Sequence, residues 1–322
     1  MGRKHIVMDI GGSKILGAVM DEENRILYRI KKKTKPELGA EAVDGRIADV
    51  VAELMEKSGL TRADVAGIGA GAPGVIDSDS GVILFSPNIP WRNHPLGPNI
   101  EKRTGLPFLV GNDVNVGVLG EWEFGAAKGF AHVVGLFAGT GIGGGVIIDN
   151  KLFTGARFFG TELGHMILNT EGPTCGCGQR GCLEAYAGKH AITREIRSMV
   201  NRGAKSNLLE SMDPEDATVK SGALAKALKD GDPVALQVID RVAYYLAAGI
   251  GNLVNIFNPE VFVLGGGVTE ATGAFLMPLV EKYLPLFAWP AMLAQVQLRE
   301  SALGDDAILF GAKALVIESG RG

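Results

Sequence analysis

Cysteine is scarce in this chain: 322 residues include three, and all three lie between Cys175 and Cys182. So few thiols in so long a chain exclude a disulfide framework and fit a reducing compartment. Excess charge is missing too. A formal net charge of −4 provides neither the basic field that attracts nucleic acid nor the polybasic stretch that attracts an anionic membrane. Long apolar runs are absent. The longest, Val133 to Ile148, is interrupted by glycines, is too short to cross a bilayer, and reads as two buried strands and a turn. Only Met1 to Lys4 precede the first β-rich run, so no secretory signal is expected and the predicted location is cytoplasmic. What remains is ample. With 46% hydrophobic residues the chain can bury a large core, and its length suggests two domains.

The three cysteines belong to the stretch Glu162 to Glu184, E-L-G-H-M-I-L-N-T-E-G-P-T-C-G-C-G-Q-R-G-C-L-E. Cys175, Cys177 and Cys182 with His165 form a Cys₃His set, whose number and softness of ligands suit a closed, structural Zn²⁺ site. Glycines at 176, 178 and 181 allow the tight backbone of a metal knuckle. The alternative is three buried free thiols and an unrelated histidine. Glu162 and Glu184 flank the loop. Folded together, they and the second ring nitrogen of His165 would suit a polyhydroxylated ligand; otherwise they are solvated helix-end charges.

Strands are predicted at 5–8, 15–20, 25–30, 65–70 and 107–111, and helices at 40–58, 99–104 and 114–124. Residues 81–98 read as an irregular binding loop. The pattern then restarts with strands at 133–138 and 144–148. Gly11 falls on Gly139, Gly17 on Gly145 and Asp21 on Asp149, while Ile68 to Gly74 resembles Val261 to Gly267. Two similar lobes, arising by duplication, are one reading of these weak repeats; chance likeness of glycine-linked strands is the other. Beyond the cysteine loop, helices are expected at 184–200, 219–229, 233–257, 275–283 and 307–318. Strands are expected at 261–264 and 295–298, and Asp305 and Asp306 are expected to cap the last helix.

Three glycine turns follow strands: Gly11-Gly12, Gly139-Thr140-Gly141 and Gly265-Gly266-Gly267. Such turns expose backbone N–H groups to phosphate, although tight-turn geometry alone also explains each of them. Neither a P-loop nor a dinucleotide fingerprint is present. Asp9, beside the first turn, is a candidate for Mg²⁺ held through water, or a strand-end turn former. Asn112-Asp113 closes a strand and opens a helix. It is either an N-cap or a place for a general base. Asn88, within S-P-N-I-P-W, taken alone reads as a loop turn former.

In order, D-I-G-G-S-K, G-A-P-G, S-P-N-I-P-W, G-N-D-V-N, G-T-G-I-G-G-G, E-L-G-H, C-G-C-G-Q-R-G-C-L-E and L-G-G-G-V closely resemble the ROK family of bacterial sugar kinases and sugar-responsive repressors. The resemblance covers nearly the whole chain. It implies an α/β, two-lobed actin/hexokinase-like ATPase fold of duplicated mixed-sheet domains, with ATP and sugar in the cleft. The lobes would be 1–113 and 114–304, the latter with the zinc loop 165–182, and the helix 305–322 would pack back on the first. Asp113 would be the base. Gly74, Asn88, Asn112, Asp113, Glu162, His165 and Glu184 would bind the sugar. Gly11, Gly12, Thr140, Gly141, Gly266 and Gly267 would line ATP, with Asp9 facing Mg²⁺. His165, Cys175, Cys177 and Cys182 would hold zinc. The implied activity is glucose phosphorylation. The alternatives are a kinase for fructose, mannose, allose, N-acetylmannosamine or N-acetylglucosamine, polyphosphate as donor, or a regulator without its DNA-binding domain. A homodimer or homotetramer is also implied; nucleic acid and membrane are not expected partners.

Overall fold

The computed structural model describes residues 2–214 and 217–320. The chain divides into two compact units. The first comprises Met1–Gly129, Leu152–Gly160 and Asp306–Gly322, and the second Phe130–Lys151 and Thr161–Asp305.

In the first unit the elements are β1 (Lys4–Ile10), β2 (Lys14–Met20), β3 (Ile26–Lys33), α1 (Ala40–Ser58) and β4 (Val65–Ala72). They continue with β5 (Val75–Asp77), β6 (Val82–Phe85), β7 (Arg92–His94), α2 (Leu96–Thr104), β8 (Phe108–Asn112) and α3 (Asp113–Phe124). The main sheet has the order β3-β2-β1-β4-β8. Its first three strands are antiparallel, and β1, β4 and β8 run parallel. The central strands are near-continuous apolar runs because both faces are covered. β3 carries Lys31, Lys32 and Lys33 at the edge, where charge discourages pairing with another chain. Val43, Ile47, Val50, Val51 and Leu54 recur at helical spacing along α1 and are buried.

The second unit contains β9 (Val133–Ala138), β10 (Ile142–Ile148), the first residue of β11 (Lys151–Leu152), α4 (Glu184–Ala187), α5 (Lys189–Asn201), α6 (Ser221–Lys229) and α7 (Pro233–Phe257). It ends with β12 (Val261–Gly265), α8 (Gly267–Tyr283), α9 (Pro290–Leu293) and β13 (Gln297–Glu300). Its sheet, β11-β10-β9-β12-β13, repeats the order of the first. β9 pairs antiparallel with β10 and parallel with β12, which is parallel to β13. β1 thus corresponds to β9 and β4 to β12, the equivalences suggested by Gly11 with Gly139 and Ile68 with Val261.

Several expected elements differ in detail. The predicted helix over 184–200 breaks at Gly188, whose extended backbone (φ −72°, ψ 161°) caps α5. The irregular stretch 81–98 contains an antiparallel hairpin, β6–β7. The helix expected from Phe275 begins at Gly267, directly after the third glycine turn. Asp306 stands at the N-cap of α10 (Ala307–Glu318) without bonding its backbone; its carboxylate pairs with both terminal nitrogens of Arg29 instead. Residues 321 and 322 of the predicted C-terminal span lie outside the described residues. The first unit runs to Gly129, whereas the sequence suggested a boundary after Asp113.

α10 lies on the main sheet of the first unit through a match of periods. A Cβ at Gly67 would meet Val316, one at Gly69 would land on the Ala312 carbonyl oxygen, and one at Gly71 would strike Ile308. Alternate strand residues share a face about 6.6 Å apart, and helix residues four apart share a face about 6 Å apart. The three glycines therefore make a trough for one turn-row of the helix. Gly69→Ala is expected to cost about 3 kcal/mol through overpacking against backbone, read as a fall in thermal midpoint. An unchanged midpoint would mean that α10 can shift aside.

Candidate active site and metal centre

In the first unit, parallel strands β4 and β8 end side by side, Gly71 opposite Gly111 and Ala72 opposite Asn112. Immediately beyond lies Asp113, the first residue of α3. Its Oδ1 accepts from the Val114 N–H at 2.9 Å, which fixes the carboxylate at the helix start. Asn112 is the N-cap, its Oδ1 accepting from Val114 and Asn115 at 3.0 and 3.1 Å. Its amide donates to the Gly74 carbonyl at 3.1 Å. The two sequence readings of Asn112-Asp113 are thus compatible: one residue caps the helix and the next presents a carboxylate at the strand end. A sugar hydroxyl would have to share Asn112 with these bonds. Asn88 is exposed at the tip of the β6–β7 hairpin. Gly11 and Gly12 form the β1–β2 turn, closed by Gly11 N–H to Lys14 carbonyl at 2.8 Å, with Asp9 near the end of β1. Gly71 is a further residue of this site that the motifs do not single out. A side chain there would crowd Asp113, whose Cα lies 3.2 Å from the Cβ position; the G-A-G-A-P-G run was the available signal.

In the second unit, His165, Cys175, Cys177 and Cys182 present four ligand atoms that all lie within 4.8 Å of one another. Cys175 Sγ is 3.7 Å from His165 Nδ1, and Cys177 Sγ is 3.7 Å from Cys182 Sγ. Ligand atoms at the corners of a tetrahedron around zinc are about 3.6–3.8 Å apart, given Zn–S near 2.3 Å and Zn–N near 2.05 Å. The set therefore fits a tetrahedral metal ion. Bridges between Ile167 and Cys182 and between Thr174 and Arg180 shape the loop. Gly178 and Gly181 take the positive φ values of 89° and 76° that it requires. Burial pushes the thiols of Cys175 and Cys182 up. Burial also opposes ionisation of Cys177, but the Gln179 backbone N–H and the two neighbouring thiols outweigh it and lower that thiol.

His165 turns Nδ1 into the metal set, leaving Nε2 on the other side of the ring. Glu184 begins α4 and joins two features. Its Oε2 accepts from the Ile142 N–H at 2.9 Å, and its Oε1 receives the Cys175 thiol at 3.3 Å. Glu184 is thus tied to the glycine turn 139–141 as well as to the metal loop; a Cβ at Gly141 would collide with its carboxylate. Glu162 is exposed and caps the short turn Leu163–His165, its carbonyl accepting from the His165 N–H at 3.0 Å. Thr140 is exposed in the turn. Gly266 (φ 87°) carries the chain from β12 into α8, backed by the end of β9, and Gly267 opens the helix. A strand, a glycine and a helix N-terminus in this order favour phosphate, through free N–H groups and the helix dipole. Together, the residues predicted from sequence fall into two sets. Asp9, Gly11, Gly12, Gly74, Asn88, Asn112 and Asp113 belong to the first unit, and the remainder to the second.

No helix among the described residues is long and apolar enough to cross a membrane. Residues 5–319 match the ROK family. A glucokinase of Thermotoga maritima is 38% identical over 317 residues, 98% of each chain. The crystal structure of a ROK family glucokinase from Streptomyces griseus, in complex with glucose and AMPPNP, superposes with a TM-score of 0.83 at 36% identity, covering 98% of this chain and 99% of that one. A ROK family transcriptional regulator, a homologue of the E. coli MLC protein, superposes with a TM-score of 0.87 at 28% identity, covering all of this chain and 79% of the other. The two mixed α/β sheets with their repeated strand order are the duplicated ATPase fold of these neighbours.

Proposed function

The chain belongs to the ROK family, and from that premise we propose that it is a glucokinase, transferring the γ-phosphoryl group of ATP to the 6-hydroxyl of glucose. The observation that carries this reading is its likeness, across 98% of its length, to a structure that holds glucose and an ATP analogue. The repressor reading is the second, favoured by the regulator that superposes over the whole chain. A repressor needs the sugar grip but no base, whereas Asp113 stands fixed at a strand end, where a base is needed.

In the reaction, Asp113 accepts the proton of the sugar hydroxyl as its oxygen bonds to the γ-phosphorus. The bond from that phosphorus to the bridging oxygen breaks, and ADP leaves. A positioned base of this kind contributes roughly 10²–10⁴-fold. Glu162, Glu184, Asn112 and His165, through Nε2, hold sugar hydroxyls, with Asn88 and Gly74 beside them. The turns at Gly11-Gly12, Thr140-Gly141 and Gly266-Gly267 give N–H groups to the nucleotide phosphates. Asp9 would hold Mg²⁺ through water; the ion neutralises phosphate charge. The Cys₃His set would hold a structural zinc, which supplies no chemistry of its own and fixes the loop that orients His165 and Glu184.

A panel of hexoses and amino sugars with ATP tests the reading, comparing kcat/KM. Glucose is expected to lead. A clear lead for N-acetylmannosamine or fructose would move the assignment to another sugar, and no turnover with any member would favour the repressor.

A further inference from the structure

One buried cluster in the first unit is absorbed by none of the roles above. Asp44, on the inner face of α1, is wholly buried although it is a carboxylate. His94 Nε2 lies 2.9 Å from both of its oxygens, and the Asn99 amide donates to Oδ2 at 2.8 Å. A buried carboxylate persists only where such donors replace its water. The His94 ring stacks on Trp91, with centroids 5.9 Å apart and planes within 10°, and Trp91 is itself fully buried.

The location of the cluster gives it a consequence. His94 ends β7, and the Ser86–Trp91 loop between β6 and β7 carries Asn88. The loop is closed by the Ser86 N–H donating to the Trp91 carbonyl at 3.2 Å and the Trp91 N–H to that of Ile89 at 2.6 Å. Its tip abuts the first glycine turn: a Cβ at Gly12 would sit 2.9 Å from the Asn88 Cβ. Its base abuts Gly74, where a Cβ would land on the Phe85 carbonyl and 2.8 Å from Ser86 Cα. Gly74 in turn accepts from the Asn112 amide at 3.1 Å. One hairpin therefore touches two segments assigned to sugar or nucleotide, the first glycine turn and Gly74, and reaches Asn112 through the latter; its only charged anchor to the body of the unit among these contacts is the Asp44–His94 pair.

We infer that Asp44 and His94 are positioning residues for sugar binding: they hold the β6–β7 hairpin so that Asn88 and the Gly74 carbonyl are preset before the sugar arrives. This rests on the kinase reading. Preorganisation of a binding loop acts on ground state and transition state alike, so its loss raises KM and spares kcat.

The test is steady-state kinetics with glucose and ATP varied separately, alongside thermal melting. His94→Ala is expected to raise the glucose KM roughly tenfold while kcat and the ATP KM stay within about twofold. His94→Gln can still donate from the position of Nε2 and is expected to recover most of the glucose affinity. Asn99→Ala, which removes one donor and keeps the stack, should raise the glucose KM about threefold; it carries the test should His94→Ala not fold. An unchanged glucose KM in both alanine variants overturns the inference. So does a fall in kcat without a rise in KM, or a His94→Gln variant as impaired as His94→Ala. A wild-type chain inactive on every sugar overturns the kinase reading and this inference with it, whereas defects confined to the variants bear on the anchor alone.

Discussion

Asp113→Asn is expected to lower kcat for glucose roughly 10²–10⁴-fold while glucose binding stays within about threefold. The expectation follows from where the side chain sits. It opens α3 at the C-terminal end of β8 and accepts from the Val114 N–H through Oδ1. An asparagine keeps that acceptor and the same volume, so the helix start and its neighbours should stand unchanged, and only the capacity to take a proton is lost. A coupled ATP assay measures turnover and calorimetry measures glucose affinity. Activity within tenfold of the wild type would remove Asp113 as the base.

Cys177→Ala is expected to release the metal and raise the glucose KM by roughly 10–100-fold, a range taken from the loss of activity when the partners that orient metal ligands are removed. Cys177 is the exposed cysteine of the set, whereas Cys175 and Cys182 are buried. Its truncation therefore removes a ligand without opening a cavity in the core, and a change in sugar affinity reports the metal rather than packing. With the metal gone, the loop that bears His165 and ends beside Glu184 loses the centre that ties it together. Metal content by mass spectrometry and glucose KM are the readouts. A metal-free variant with wild-type glucose affinity would separate the two functions of the loop.

Elements whose signal is local were legible in the sequence. Strands ending in glycine turns, the apolar stripe of α1 and the spacing of the cysteine loop all write their geometry into neighbouring residues. The Cys₃His set could be named because eight positions contain three thiols and their glycines. Where the sequence reading missed, the deciding contact was distant or the local propensity misleading. α8 starts at Gly267 although Thr269, Thr272, Gly273 and Pro278 are poor helix formers; packing of Val268 and Leu276 into the core decides instead. The β6–β7 hairpin hides behind Pro87, Asn88 and Pro90, which read as loop. Asp306 looked like a cap, but Arg29, nearly the length of the chain away, takes its carboxylate. The surroundings of Glu184 are legible only in part: its place beside the cysteines is plain, but its bond to the Ile142 N–H joins residues 42 positions apart.

α3 falls in the first unit, beyond the boundary expected after Asp113, for a related reason. It crosses α10 where a Cβ at Gly311 would fall on the Val116 carbonyl and one at Gly120 on the Ala307 carbonyl. This pair of bare backbones carries no periodic mark in either helix.

The same helix sets a timetable for synthesis. α10 covers β4 and crosses α3, yet it is made after every element of the second unit. On a ribosome the nascent amino-terminal sheet must wait, one apolar face uncovered, while the later half emerges and can complete its own core. The portion begun first is finished last.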